Sequence, residues 1–164
     1  YFPLDAMNLY WDELPEPKYL LYLPNDGHSI EDFGRLIPAL GAIHRGGAAL
    51  PRLQWEFQSN QASLRLCVRA DPLPVAAVLW TAESSDTDFR DATFSPEPIA
   101  LQRDMFIADV GPPAAGFRAF FAELLFRGEA GETFPLSTNV RIMDSSGRPA
   151  SEATAIDGTA GVCE

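Results

Sequence analysis

K-Y-L-L-Y-L-P-N-D-G-H-S, residues Lys18 to Ser29, decides how the rest of the chain is read. The run Tyr19-Leu20-Leu21-Tyr22-Leu23 is apolar without alternation, so both of its faces should be covered. That pattern predicts a strand inside a parallel sheet with helices on each side. Pro24 lacks the N–H that a ladder needs and ends the run. Asn25, Asp26 and Gly27 are turn residues. They put His28 just past the strand's C-terminal end, where open α/β sheets place their working groups. An imidazole there suits acid–base catalysis. The competing reading is a loop histidine with no task.

Working outward, Leu4, Met7, Tyr10, Trp11 and Leu14 fall at helical spacing, with Asp5 near the start and Pro15 and Pro17 at the end. Ser29 reads as the cap of a second helix, with Asp32 three residues on and a stripe of Ile30, Phe33, Leu36, Ile37 and Leu40. Pro38 should kink or shorten it. Helix, strand, histidine turn and helix make the last crossover unit of a larger sheet. One strand cannot form a parallel sheet, so the first fifty residues read as the tail of a domain whose body precedes Tyr1.

These residues also carry a resemblance. Y-F-P-L-D-A-M-N-L-Y-W-D-E-L-P-E-P-K-Y-L-L-Y-L-P-N-D-G-H resembles the histidine segment of the PhoPQ-activated pathogenicity-related protein family. Leu79-Trp80-Thr81-Ala82 with Asp88-Phe89-Arg90, and Gly116 to Phe126 with Leu136-Ser137-Thr138, are similar too. The likeness runs over roughly residues 1–142 and is most specific in the first ninety. It implies the end of an α/β-hydrolase-like domain followed by a β-rich domain. His28 would then be the triad histidine, its acid and nucleophile lying before Tyr1. A secreted or periplasmic setting follows from the same resemblance.

The net charge is −11 and Lys18 is the one lysine. Such a chain is repelled by phosphate backbones, so nucleic acid is not an expected partner. No apolar run has the length of a membrane span. Cys67 and Cys163 permit one disulfide without requiring it. Cys67 shares a strand face with Arg65 and Arg69 and should be half-exposed, and a mobile C-terminal tail argues against the bridge.

The period changes from helical to two after Gly46-Gly47-Ala48-Ala49. Leu53, Trp55 and Phe57, then Leu64, Leu66 and Val68, alternate with polar residues, which predicts a hairpin turning at Ser59-Asn60. Val75 to Trp80 reads as a more buried strand. Residues 83–98 form a polar loop holding Asp88-Phe89-Arg90, read as an anchor with Phe89 buried and Arg90 paired to a nearby acid, or else as a ligand clamp. Short strands follow at Ile99 to Arg103 and Met105 to Ala108. Phe117 to Phe126 fits a helix or a strand; the hairpin signal at Gly128 to Gly131 and the alternation from Phe134 to Ile142 favour a strand. Trp55, Phe57, Leu64, Leu66, Trp80, Phe121 and Leu136 are expected in one core. The predicted architecture is thus an α/β fragment in residues 1–47, the last strand-turn-helix of an α/β-hydrolase-like sheet. An all-β sandwich-like domain follows in 48–143, then a flexible tail in 144–164.

No G-x-S-x-G nucleophile elbow occurs, and Ser29 beside His28 is better used as a cap. His28 and His44 do not form a zinc motif, and His44 should lie on the surface near a helix C-terminus. Asp86, Asp88 and Asp91 share a loop without the spacing of a calcium loop. No cofactor or metal is expected. The expected function is that of the C-terminal part of a serine-hydrolase-like protein of peptidase or esterase type. By itself the chain should be inactive. The alternative is a non-enzymatic binding module. Expected partners are an upstream hydrolase core, or a second copy joined through the apolar strand at residues 19–23.

Overall fold

The computed structural model describes residues 3–27, 29–46, 50–60, 63–128, 131–151 and 158–164. Two antiparallel sheets and one α-helix make up its regular structure. The helix is α1 (Phe33–Gly46). The strands are β1 (Arg52–Asn60), β2 (Ser63–Asp71), β3 (Ala76–Ser84), β4 (Ser95–Pro98), β5 (Leu101–Gln102), β6 (Met105–Val110), β7 (Phe117–Arg127), β8 (Thr133–Ser137) and β9 (Arg141–Asp144). The first sheet has the order β1-β2-β6-β5; the second has the order β4-β3-β7-β8, with β9 also on β7.

The hairpin read from alternation is present. Trp55 pairs with Val68 and Phe57 with Leu66, and their side chains turn inward together. The pairing continues through Ser59 and Asn60 to Ser63, so the turn comes later than expected; Gln61 and Ala62 lie outside the described residues. Phe117 to Phe126 is strand, as the hairpin signal favoured. Its fit to a helix has a physical cause: β7 is covered on both faces, so its inward residues do not alternate with exposed ones. Phe120, Ala122, Leu124 and Phe126 face the first sheet, and Phe57 meets Phe120 edge-on at 5.8 Å between ring centres. Ala119 and Phe121 face the other way, toward Trp80, Phe89, Phe94, Val140 and Ile142. The single core expected from sequence is therefore two. Trp55, Phe57, Leu64, Leu66 and Leu136 belong to one, Trp80 and Phe121 to the other.

Phe134 to Ile142 is not one strand. β8 and β9 share one edge of β7, and Thr138 joins them. Thr138 N–H donates to Ala122 O at 2.9 Å, and its hydroxyl oxygen accepts from Ala122 N–H at 3.0 Å. A side chain thus stands in where the ladder is interrupted.

The N-terminal part forms neither the strand nor the first α-helix expected of it. Tyr19 to Leu23 is extended but is not a strand of either sheet. Ser137 N–H donates to Leu20 O at 2.7 Å and Ser137 Oγ accepts from Tyr22 N–H at 3.1 Å, so the segment rests against the end of β8. On that side the segment is held by this chain's own β8. The expected first helix is two short 3-10 turns, Ala6–Leu9 and Trp11–Glu13. Tertiary bonds override the helical spacing: Asp5 accepts from Ser151 Oγ at 2.7 Å instead of capping, and Asn8 Nδ2 donates to Val140 O at 2.8 Å. The second helix begins at Phe33, capped by Asp32 through Arg35 N–H at 3.0 Å, not by Ser29. It continues through Pro38, which lies inside the helix and does not end it.

Cys67 is bonded to Cys163 and is 1% exposed, contrary to the half-exposed thiol expected. Its strand face does point away from the sheet–sheet core. The last residues cover it: Val162 is buried, and Cys163 N–H donates to Glu56 Oε2 at 3.0 Å. Among the described residues no helix is long and apolar enough to cross a membrane.

Candidate functional site

Leu23 to Asp26 form a tight turn closed by Asp26 N–H to Leu23 O at 3.3 Å. Pro24 occupies the second position, where its fixed φ fits, and Asn25 occupies the third with φ 66°, the left-handed conformation that a type II turn demands. Asn25 is also the pin. Its Oδ1 accepts from Phe94 N–H at 2.7 Å and its Nδ2 donates to Phe94 O at 3.0 Å. One amide side chain thus pairs with a backbone as a strand would. Asp26 Oδ2 accepts from Glu31 N–H at 3.0 Å and Asp32 N–H at 3.1 Å, tying the loop to the start of α1. His28 falls between these fixed points and lies outside the described residues.

The turn forms one wall of a cleft of about 820 Å³. Thr87 to Phe94 form the other wall, and Tyr22 and Phe121 the base. Tyr22 packs tilted against Phe121 at 4.9 Å between ring centres, and burial pushes its hydroxyl well above the usual tyrosine range. The Asp88-Phe89-Arg90 stretch follows its anchor reading. Phe89 is buried against Phe94, and Arg90 Nε donates to both Asp88 oxygens at 2.9 and 2.8 Å. The guanidinium holds the Asp88 carboxyl below the usual carboxylate range. The rim of the cleft is therefore polar and its base aromatic, a shape that suits a small organic group.

Chemically the described lining offers no serine or cysteine. Among the described residues no three His, Cys, Asp or Glu side chains gather as metal ligands. His44 is exposed in the last turn of α1. Sequence reasoning missed the pinning role of Asn25, which it took for a turn residue alone. The available signal was Pro-Asn at the two central positions of a type II turn, which orients an amide outward with little freedom.

The fold and cleft define a two-sheet β protein with an N-terminal segment wrapped over one sheet and ending in a histidine turn. The family model of the PhoPQ-activated pathogenicity-related protein matches residues 1–90, more than half of the chain, and the chain belongs to that family. The matched residues include the turn wall of the cleft and the other wall as far as Arg90, but not Gly116 to Phe126 or Leu136 to Thr138. Neither the comparison with curated proteins nor that with solved structures finds a match.

Proposed function

We propose that the chain is the C-terminal portion of a serine-hydrolase-like protein of peptidase or esterase type, in which His28 takes the proton from a serine carried on a separate core. Residues 1–47 would complete that core and residues 48–143 would be its accessory β domain. The observation that carries this reading is the family match, which takes in the turn wall of the cleft and the other wall as far as Arg90. The surface of α1 lends support. Ala39 and Ala42 are buried, while Phe33, Ile37 and Leu40 on the opposite side are 57%, 59% and 52% exposed. A helix apolar on two sides belongs between two layers, and among the described residues only one covers it. A hydrolase core is the partner that would cover it.

The test combines this chain with the serine-bearing core of a family member and follows hydrolysis of a p-nitrophenyl ester and of a peptide amide. Turnover should require both parts and fall by roughly a thousandfold or more on His28→Ala. Turnover by the chain alone that survives His28→Ala overturns the reading. The alternative reading is a non-enzymatic binding module. In that case the combined parts bind through α1 but hydrolyse nothing.

A further inference from the structure

β1 is the outer strand of its sheet, and part of its free edge is unoccupied. In an antiparallel pair, alternate residues direct their backbone groups toward the partner and the residues between direct theirs away. Trp55 O accepts from Thr159 N–H at 2.6 Å, a donor outside the ladder with β2. Trp55 therefore faces outward, and so does Leu53, two residues before it. Among the described residues, Leu53 N–H and C=O have no partner on that side.

These groups border a cleft of about 1160 Å³. Leu50 to Trp55 line it without a gap, so it follows the strand edge rather than either face. The stretch Glu16 to Leu20 lines it too, and so does Trp11, whose ring packs tilted on Trp55 at 5.6 Å. The chain itself already makes one strand-like contact on this edge. Gly158 bridges to Glu56 and Thr159 bonds to Trp55, after which the chain turns away to the Cys163 disulfide. Gly158, at φ +84°, passes so close that a Cβ would stand 2.3 Å from Trp55 O. The contact thus ends at Trp55 and leaves Leu53 open.

We propose that the free edge of β1 at Leu53 takes an extended peptide with basic side chains as an added strand. Main-chain bonds to Leu53 supply the pairing, as in other strand-addition sites. The charge follows from the walls. Asp12, Glu16, Asp71 and Asp104 outnumber Lys18, Arg52 and Arg69, and the whole chain carries −11. This site lies apart from the histidine turn, shares no lining residue with its cleft, and stands whether or not His28 is catalytic.

The test titrates a fluorescent octapeptide of alternating Lys and Thr with the full chain and reads anisotropy. Saturable binding is expected. It should weaken by about tenfold or more with Leu53→Pro, which removes the outward N–H and leaves the ladder to β2 intact. The same peptide N-methylated at alternate residues should also bind at least about tenfold more weakly, as should its Glu-Thr counterpart. The N-methylated probe needs no protein variant and decides the matter if Leu53→Pro does not fold. Absence of saturable binding overturns the proposal. So does equal binding of the parent and N-methylated peptides, since charge alone would then account for it.

Discussion

Arg35 on α1 reaches the buried carboxylate of Glu123 on β7, Nη2 to Oε1 at 2.9 Å. Glu123 is 2% exposed and sits on the outer face of the second sheet. Arg35 also pairs with Asp32 at 3.3 Å and lies over the Trp80 ring at 5.0 Å. One guanidinium therefore joins the start of the helix, the sheet beneath it and an aromatic ring. Burial raises the Glu123 carboxyl above its ordinary value, and the Arg35 charge partly offsets that.

Replacing Arg35 with Met should destabilise the fold by about 2–3 kcal/mol at neutral pH, below the range for a fully buried pair because Arg35 is partly solvated. The sign with pH follows from the raised folded value of Glu123. Its contribution is fully present below the unfolded value near 4.5 and is lost as pH rises through the folded value. Without Arg35 the folded value rises further, so the variant should lose more at pH 7 than at about pH 4. Adding Glu123→Gln should flatten the difference. Urea titrations at the two pH values check this.

Reducing the Cys67–Cys163 disulfide should cost about 2–5 kcal/mol, because the closed loop spans 96 residues of sequence. The local consequence is exposure of β2, since the disulfide holds the buried Val162 and the last residues against Cys67. Denaturant midpoints with and without reductant measure the loss. Hydrogen exchange should localise the early change to Glu56 and Cys67, and a midpoint unchanged by reductant would contradict it.

What the sequence allowed to be read depended on whether one face of an element meets water. β1 and β2 alternate because the outward residues Gln54, Glu56 and Arg65 are polar, and their pairing was legible. β7 and the stretch from Phe134 to Met143 are covered on both sides, so period no longer separates strand from helix or one core from two. The same rule misled at Tyr19 to Leu23. The unalternating apolar run suggested full cover on both sides, but only Leu20 is buried and the segment rests against the end of β8, not between parallel strands. The disulfide was unreadable because it depends on where residues 158–164 settle, which no periodicity encodes. In the cleft, the turn was legible from Pro24 to Gly27, while the Asn25 bond to Phe94, 69 residues away, was not.

Trp55→Ala should cost about 3–5 kcal/mol. Its ring is 6% exposed, packs on Trp11 at 5.6 Å and belongs to the core between the sheets. A denaturant titration gives the value. Trp80→Ala should behave differently, because Trp80 belongs to the second core and carries Arg35 on its face. Its loss should be coupled to Arg35→Met, while that of Trp55 should add to it independently.

Asn25 offers a test that separates backbone conformation from side-chain bonding. Its φ of 66° disfavours ordinary side chains, and its amide makes two bonds to Phe94. Asn25→Gly keeps the conformation and removes both bonds; Asn25→Ala removes the bonds and adds the strain of a left-handed Cβ. The glycine variant should lose about 1–2 kcal/mol. The alanine variant should lose roughly 1 kcal/mol more. In both, the loop Thr87 to Phe94 should separate from the histidine turn before the sheets unfold, since its other tie to that wall is the packing of Phe89 and Phe94 on Phe121 and Tyr22. Hydrogen exchange at Phe94 N–H reads this directly. Equal losses for glycine and alanine would mean that the turn relaxes to another conformation, and unchanged protection at Phe94 would mean that Asn25 does not hold the cleft together.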